Sequence, residues 1–112
     1  MKNNITLTLL SIVFFLVVCN EQQSNNRQLI LADSLMQSQP DSALNILRGI
    51  SMENFAAQAD SAYYALLLTQ ARDKNYVVQT DDSLIRYAVA YYDKTNDVRM
   101  QAKAHYYWGC VY

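Results

Sequence analysis

Ala102-Lys103-Ala104-His105-Tyr106-Tyr107-Trp108-Gly109-Cys110-Val111-Tyr112 closes the 112-residue sequence, and its spacing decides the fold class. Ala104, Tyr107, Trp108 and Val111 stand at i, i+3, i+4 and i+7, positions that a helix gathers into one apolar stripe and a strand scatters over both faces. The same four-point spacing recurs upstream in Tyr64, Leu67, Leu68 and Ala71, inside a helix predicted over residues 57–74, with Tyr63 and Leu66 widening the stripe. It recurs again in Leu84, Tyr87, Ala88 and Tyr91, in a helix that Thr80 or Asp81 caps and that runs to about residue 94. Asp81 and Asp82 fall in its first turn, where carboxylates complement the helix dipole. Thr95-Asn96-Asp97 ends it, and Asn96 or Asp97 caps the last helix.

Two more helices precede these. Leu29, Ala32 and Met36 share one face of a segment over residues 26–37, with Leu31 and Leu35 beside them. Ser38-Gln39-Pro40 breaks it, because proline disfavours helix in the residue before it and suits the first turn of the helix that follows. The second helix, residues 41–48, turns Ala43, Leu44, Leu47 and Ile50 inward, and Gly49 is placed as its C-terminal cap. Ser51 to Phe55 reads as a connector, and Tyr76, Val77 and Val78 in the later loop are expected to fold back on the helical hairpin. No two-residue alternation is sustained anywhere. The expected class is all-α, with about five helices in the order pair, pair, half pair.

The N-terminus has a different character. Ile5 to Val18 is fourteen residues without a charge, ending at Cys19. A membrane span needs roughly 18 or more apolar residues, so this run fits the core of a secretory signal. Leu16-Val17-Val18-Cys19 resembles the lipobox of bacterial lipoproteins, although Val18 stands where that family carries a small residue. The resemblance implies a signal peptide over 1–18, acylation of Cys19, a polar tether over 19–26 and a membrane-anchored protein of the cell envelope. Acyl chains contribute ~0.8 kcal/mol per buried CH2 and hold a domain at a bilayer without a spanning helix. The other reading of the segment is an uncleaved anchor with an idle cysteine. Without Lys2 the charge balance is eight basic to ten acidic side chains, with the lysines and arginines spread singly, which gives nucleic-acid binding little support. Cys19 and Cys110 are the only thiols, so there is no disulfide framework; Cys110 reads as a small buried hydrophobe.

His105-x2-Trp108-Gly109-x2-Tyr112 resembles the opening of a tetratricopeptide repeat. Ser83-Leu84-x2-Tyr87-x2-Ala90 resembles its second helix, and Gln37 to Leu44, with Pro40 ahead of Ala43-Leu44, is similar to a junction between repeats. Likeness between Ser61-Ala62-Tyr63-Tyr64 and Lys103-Ala104-His105-Tyr106-Tyr107 sets the period at 42 to 43 residues, longer than the ~34 of a standard unit, with the excess in the loop after residue 74. The resemblance implies antiparallel helix pairs stacked as an α-solenoid over 27–112, the last repeat incomplete. It also implies packing roles for Tyr64, Leu67, Leu68, Ala71, Leu84, Tyr87, Ala90, Tyr91, His105, Trp108, Gly109 and Tyr112. In that arrangement the closing stripe waits for more chain, a neighbour or a second copy, so self-association through the last helix is an expectation too.

Catalytic chemistry finds no foothold in the sequence. His105 is the only histidine and is five residues from Cys110, which does not stack them on one helical face, so neither metal nor cofactor is expected. Ser34, Ser42, Ser61 and Ser83 lack a nucleophile motif, and there is no glycine-rich phosphate loop. The nine tyrosines supply either an aromatic binding face or rings shared between core and shoulder. The expected function is a non-enzymatic scaffold that binds a protein or peptide along a solenoid groove. The alternative is the sensory front of a longer membrane signalling or transcription-regulating protein.

Overall fold

The computed structural model describes residues 25–111, and the chain over that span is all-α. Its helices are α1 (residues 25–35), α2 (Pro40–Arg48), α3 (Gln58–Lys74), α4 (Ser83–Tyr92) and α5 (Val98–Cys110), with a 3-10 turn at Met52–Asn54 between α2 and α3. The expected signal segment 1–18, Cys19, the expected tether up to residue 24 and Tyr112 lie outside the described residues. No described helix is long and apolar enough to cross a membrane.

Local chemistry sets the element boundaries. Gln39 is shared by two helices: its N–H donates to the Leu35 carbonyl at 2.8 Å, and its own carbonyl accepts from Ala43 at 3.1 Å. Pro40 sits in the first turn of α2 beside Asp41, where a missing N–H costs nothing and a carboxylate faces the positive end of the dipole. Gly49 does stand at the C-cap of α2, but with φ −81° it is right-handed, and the helix closes by a tight bond from Gly49 N–H to the Ile46 carbonyl at 3.1 Å. The left-handed cap that glycine permits is not used. Asp97 caps α5 by accepting from Met100 N–H at 3.1 Å.

The core divides around α3. Leu29, Ala32 and Met36 of α1, Ala43, Leu44 and Leu47 of α2, and Ile50 pack on Tyr64, Leu67, Leu68 and Ala71. Ala62, Ala65 and Leu66, on the other side of α3, pack on Ile85, Ala88, Val89 and Tyr92 of α4 and on Ala104, Tyr107 and Val111. From Ser61 to Ala71 every residue of α3 is buried except the half-buried Tyr63. An α-helix apolar on all sides is a helix with neighbours on all sides. Consecutive helices pack against one another, and α3 also meets α5. This is a general helical-solenoid arrangement.

Three sequence expectations need correction. On α4 the buried set is Ile85, Ala88, Val89 and Tyr92; Leu84 and Tyr91 are half-buried, while Tyr87 and Ala90 are exposed. The face is turned by about one residue, ~100° on a helix. It buries Ile85 and Val89 and leaves the Tyr87 hydroxyl to water. On α5 the stripe of Ala104, Tyr107 and Val111, with Trp108 at its margin, is already covered by α3 and α4. In the loop only Val77 packs on the core; Tyr76 and Val78 are 94% and 85% exposed. Tyr76 turns the chain with φ +58°. Asn75 anchors the turn, its amide donating to the carbonyls of Pro40 at 2.9 Å and Ala71 at 2.7 Å.

Candidate functional site

Polar side chains join the odd-numbered helices in a row. Asn26 of α1 donates to Asp60 of α3 at 3.2 Å, the Tyr63 hydroxyl of α3 donates to Asp33 of α1, and Lys74 of α3 donates to Gln37, just beyond α1, at 3.3 Å. Lys103 of α5 then reaches Asp33 at 3.9 Å, so that one carboxylate links three helices. Residues 26 and 33 fall on one side of α1, and 60, 63 and 74 on one side of α3, as helical spacing requires. Asp33 and Lys103 were not singled out from the sequence: a lone charge on a helix reads as a solvated face until the partner helix is known.

Burial tunes the titratable groups along this row. Desolvation, then the hydrogen bond to Asp33, pushes the Tyr63 phenol well above its ordinary range. Desolvation lowers the Lys103 ammonium and outweighs the opposing pull of Asp33. Tyr92 is pushed up to about 12 by burial, and Tyr64 and Tyr107 are raised for the same reason. At the floor of the row, between α3 and α5, Gln70 is buried beside the Tyr107 hydroxyl, and its Oε1 has no hydrogen-bond partner among the described residues. Unmatched buried acceptors are uncommon.

These shifts predict alkaline behaviour. A phenol whose folded pKa is raised stabilises the fold fully below its unfolded value, near 10, and the contribution disappears as pH climbs towards the folded value. Tyr63, Tyr64, Tyr92 and Tyr107 all act in this sense. Lys103 acts in the opposite sense, since deprotonation relieves the cost of burying its charge, but it is one group against four. Stability is therefore expected to fall from about pH 10 upward. Part of the phenolate absorbance should appear only as helical circular dichroism is lost, and Tyr92→Phe should shrink that part. Complete phenolate formation in a still-helical chain would contradict the assignment.

The residues expected to pack repeats separate into groups. Tyr64, Leu67, Leu68 and Ala71 are buried in the first core cluster, and Leu84, Tyr91 and Trp108 are half-buried on the second. Tyr87, Ala90 and Tyr91 line, with Gln58 and Lys94, an open hollow of about 140 Å³. His105 is exposed, pairs with Asp93 at 2.9 and 3.1 Å, and holds its ring 6.0 Å from that of Trp108. Gly109 is exposed, and a Cβ built there would meet nothing within 4 Å, so it makes no close helix contact among the described residues. Cys110 is half-buried and free. Comparison with protein families, with curated proteins and with solved structures finds no match to this chain. Among the described residues no three His, Cys, Asp or Glu side chains gather into a metal-ligating group.

Proposed function

We propose that this chain is a non-enzymatic, tetratricopeptide-like scaffold that binds a protein or peptide and is held at a bacterial envelope membrane through acylated Cys19. The single observation that carries the binding half is the side-by-side placement of α1, α3 and α5 with Asn26, Asp33, Tyr63 and Lys103 on one face. Such a row fixes polar side chains at spacings set by rigid helices, the kind of surface along which helical arrays recognise extended chains. The anchoring half rests on the sequence around Cys19.

Site-specific photo-crosslinking in a bacterial host tests the binding half. A crosslinker at Tyr106 or Arg99, exposed residues of α5, is expected to give a discrete protein adduct, whereas one at Asn45 or Ala90, exposed residues of the even helices, gives none. Equal labelling from both sides would refute it. Cys19→Ala is expected to abolish acylation and release the chain from the membrane fraction, and unchanged lipid labelling would remove the anchor from the reading.

A further inference from the structure

Between α3 and α4 the chain turns at Tyr76, and residues 77–80 then alternate in exposure. Tyr76, Val78 and Thr80 face out; Val77 packs on the core and Gln79 donates inward to the Thr69 carbonyl at 3.3 Å. That two-residue period is the signature of a strand, although no strand lies beside it among the described residues. Val77 N–H is tied to the Arg72 carbonyl at 2.9 Å, but the main-chain N–H and C=O groups of residues 78–81 have no hydrogen-bond partner among the described residues. Unpaired main-chain groups in a row, as on a sheet edge, can pair with another chain.

The segment forms one wall of an open cleft of about 350 Å³, and Arg48 and Arg72 form part of the rest. Neither guanidinium has an ion-pair partner among the described residues. Asp81 also lines the cleft, but its carboxylate is engaged by Ser83, accepting from the main-chain N–H at 2.9 Å and the hydroxyl at 3.0 Å. Arg48 and Arg72 lie in the last turns of α2 and α3, where a cation complements the dipole. That role accounts for their sign but not for their convergence on a cleft beside free backbone groups.

We infer that residues 77–81 bind an extended acidic peptide segment by strand addition, with Arg48 and Arg72 receiving its carboxylates. Main-chain bonds to the edge supply affinity, and two guanidiniums that match carboxylate geometry select glutamate or aspartate on the side chains turned into the cleft. This site lies on the α2–α3–loop side of the molecule and does not depend on the odd-helix face.

The test is a titration of the isotopically labelled chain, followed at the amides of residues 77–81, with a capped hexapeptide of alternating valine and glutamate. The expected result is saturable shifts at those amides. Binding should weaken about tenfold or more when glutamine replaces glutamate, when alternate peptide nitrogens are methylated, and in the Arg48→Gln/Arg72→Gln variant, whose unchanged circular dichroism would show that it is folded. Equal shifts from the glutamate and glutamine peptides, or none, would overturn the proposal. So would glutarate binding as tightly as the peptide, which would mark a simple anion site, and so would concentration-dependent shifts without peptide, which would mark pairing of two copies. Failure here leaves the crosslinking pattern on α5 unaffected.

Discussion

Leu67→Ala is expected to lower the unfolding free energy by roughly 3 kcal/mol, and to do so equally when unfolding is followed at Trp108 in the other cluster. Leu67 is fully buried among α1, α2 and α3, so truncation removes the transfer energy of the lost methyl groups and leaves a cavity that close-packed neighbours fill incompletely. Trp108, the only tryptophan, rests instead on the cluster of α3, α4 and α5. The clusters share α3: Leu66 faces one while Leu67 faces the other, both fully buried. Small domains are stable by about 5–15 kcal/mol, so losing one side of α3 should leave too little to hold the other. Urea transitions read by circular dichroism and by Trp108 fluorescence should therefore move together. Leu31→Ala, at a 49% exposed position, should stay within about 0.5 kcal/mol of the parent chain. A Trp108 midpoint that ignores Leu67→Ala would show two independently folding halves.

The fold class and the two ends of the core were legible because periodicity is a local property. Leu29, Ala32, Met36, Ala43, Leu44, Leu47 and Ile50 can be read as inward positions from spacing alone, and all are buried. α4 shows where spacing stops being informative. Residues 84, 87, 88 and 91 and residues 85, 88, 89 and 92 satisfy the same helical rule, and the tyrosines count as apolar in either set. Only the neighbours decide, and they take Ile85 and Val89. Reading α3 as a single stripe failed in a related way, since Ala62, Ala65 and Leu66 serve a second neighbour that no single-helix pattern reveals. The row from Asn26 to Lys103 was illegible for a stronger reason: its members are 30 and more residues apart, and their meeting is a property of topology. Spacing alone reads the segment at 76–80 as a loop folding back, because three apolar residues in five look like packing; the turn at Tyr76 and the outward Val78 leave only Val77 on the core.

Asp82→Ala should be the most damaging change at a polar position, costing about 2 kcal/mol, because this carboxylate joins α4 to α5. Its side chain is 10% exposed; it accepts from the Trp108 indole N–H at 2.9 Å and from the Arg86 guanidinium at 2.8 and 3.0 Å. Truncation leaves a half-buried indole N–H without its acceptor, which is dearer than the net value of one bond. The sequence alone assigns Asp82 a different role, a negative charge at the start of a helix, and the two roles predict different series. If charge is what matters, Asp82→Asn and Asp82→Ala lose the same dipole interaction and cost alike, and neither cost changes in a Trp108→Phe background. If the indole bond matters, Asp82→Asn keeps an acceptor and costs about half as much, while the Asp82→Ala penalty shrinks in the Trp108→Phe background by a coupling of roughly 1 kcal/mol. Arg86→Ala removes a 64% exposed partner one turn away and should cost less than about 1 kcal/mol in either case. Since Trp108→Phe removes the fluorophore, the cycle must be read by circular dichroism in urea. A coupling energy near zero there would return Asp82 to the dipole role and leave α5 held to α4 by apolar contact and by Gln101, whose amide donates to the Tyr92 carbonyl at 3.0 Å.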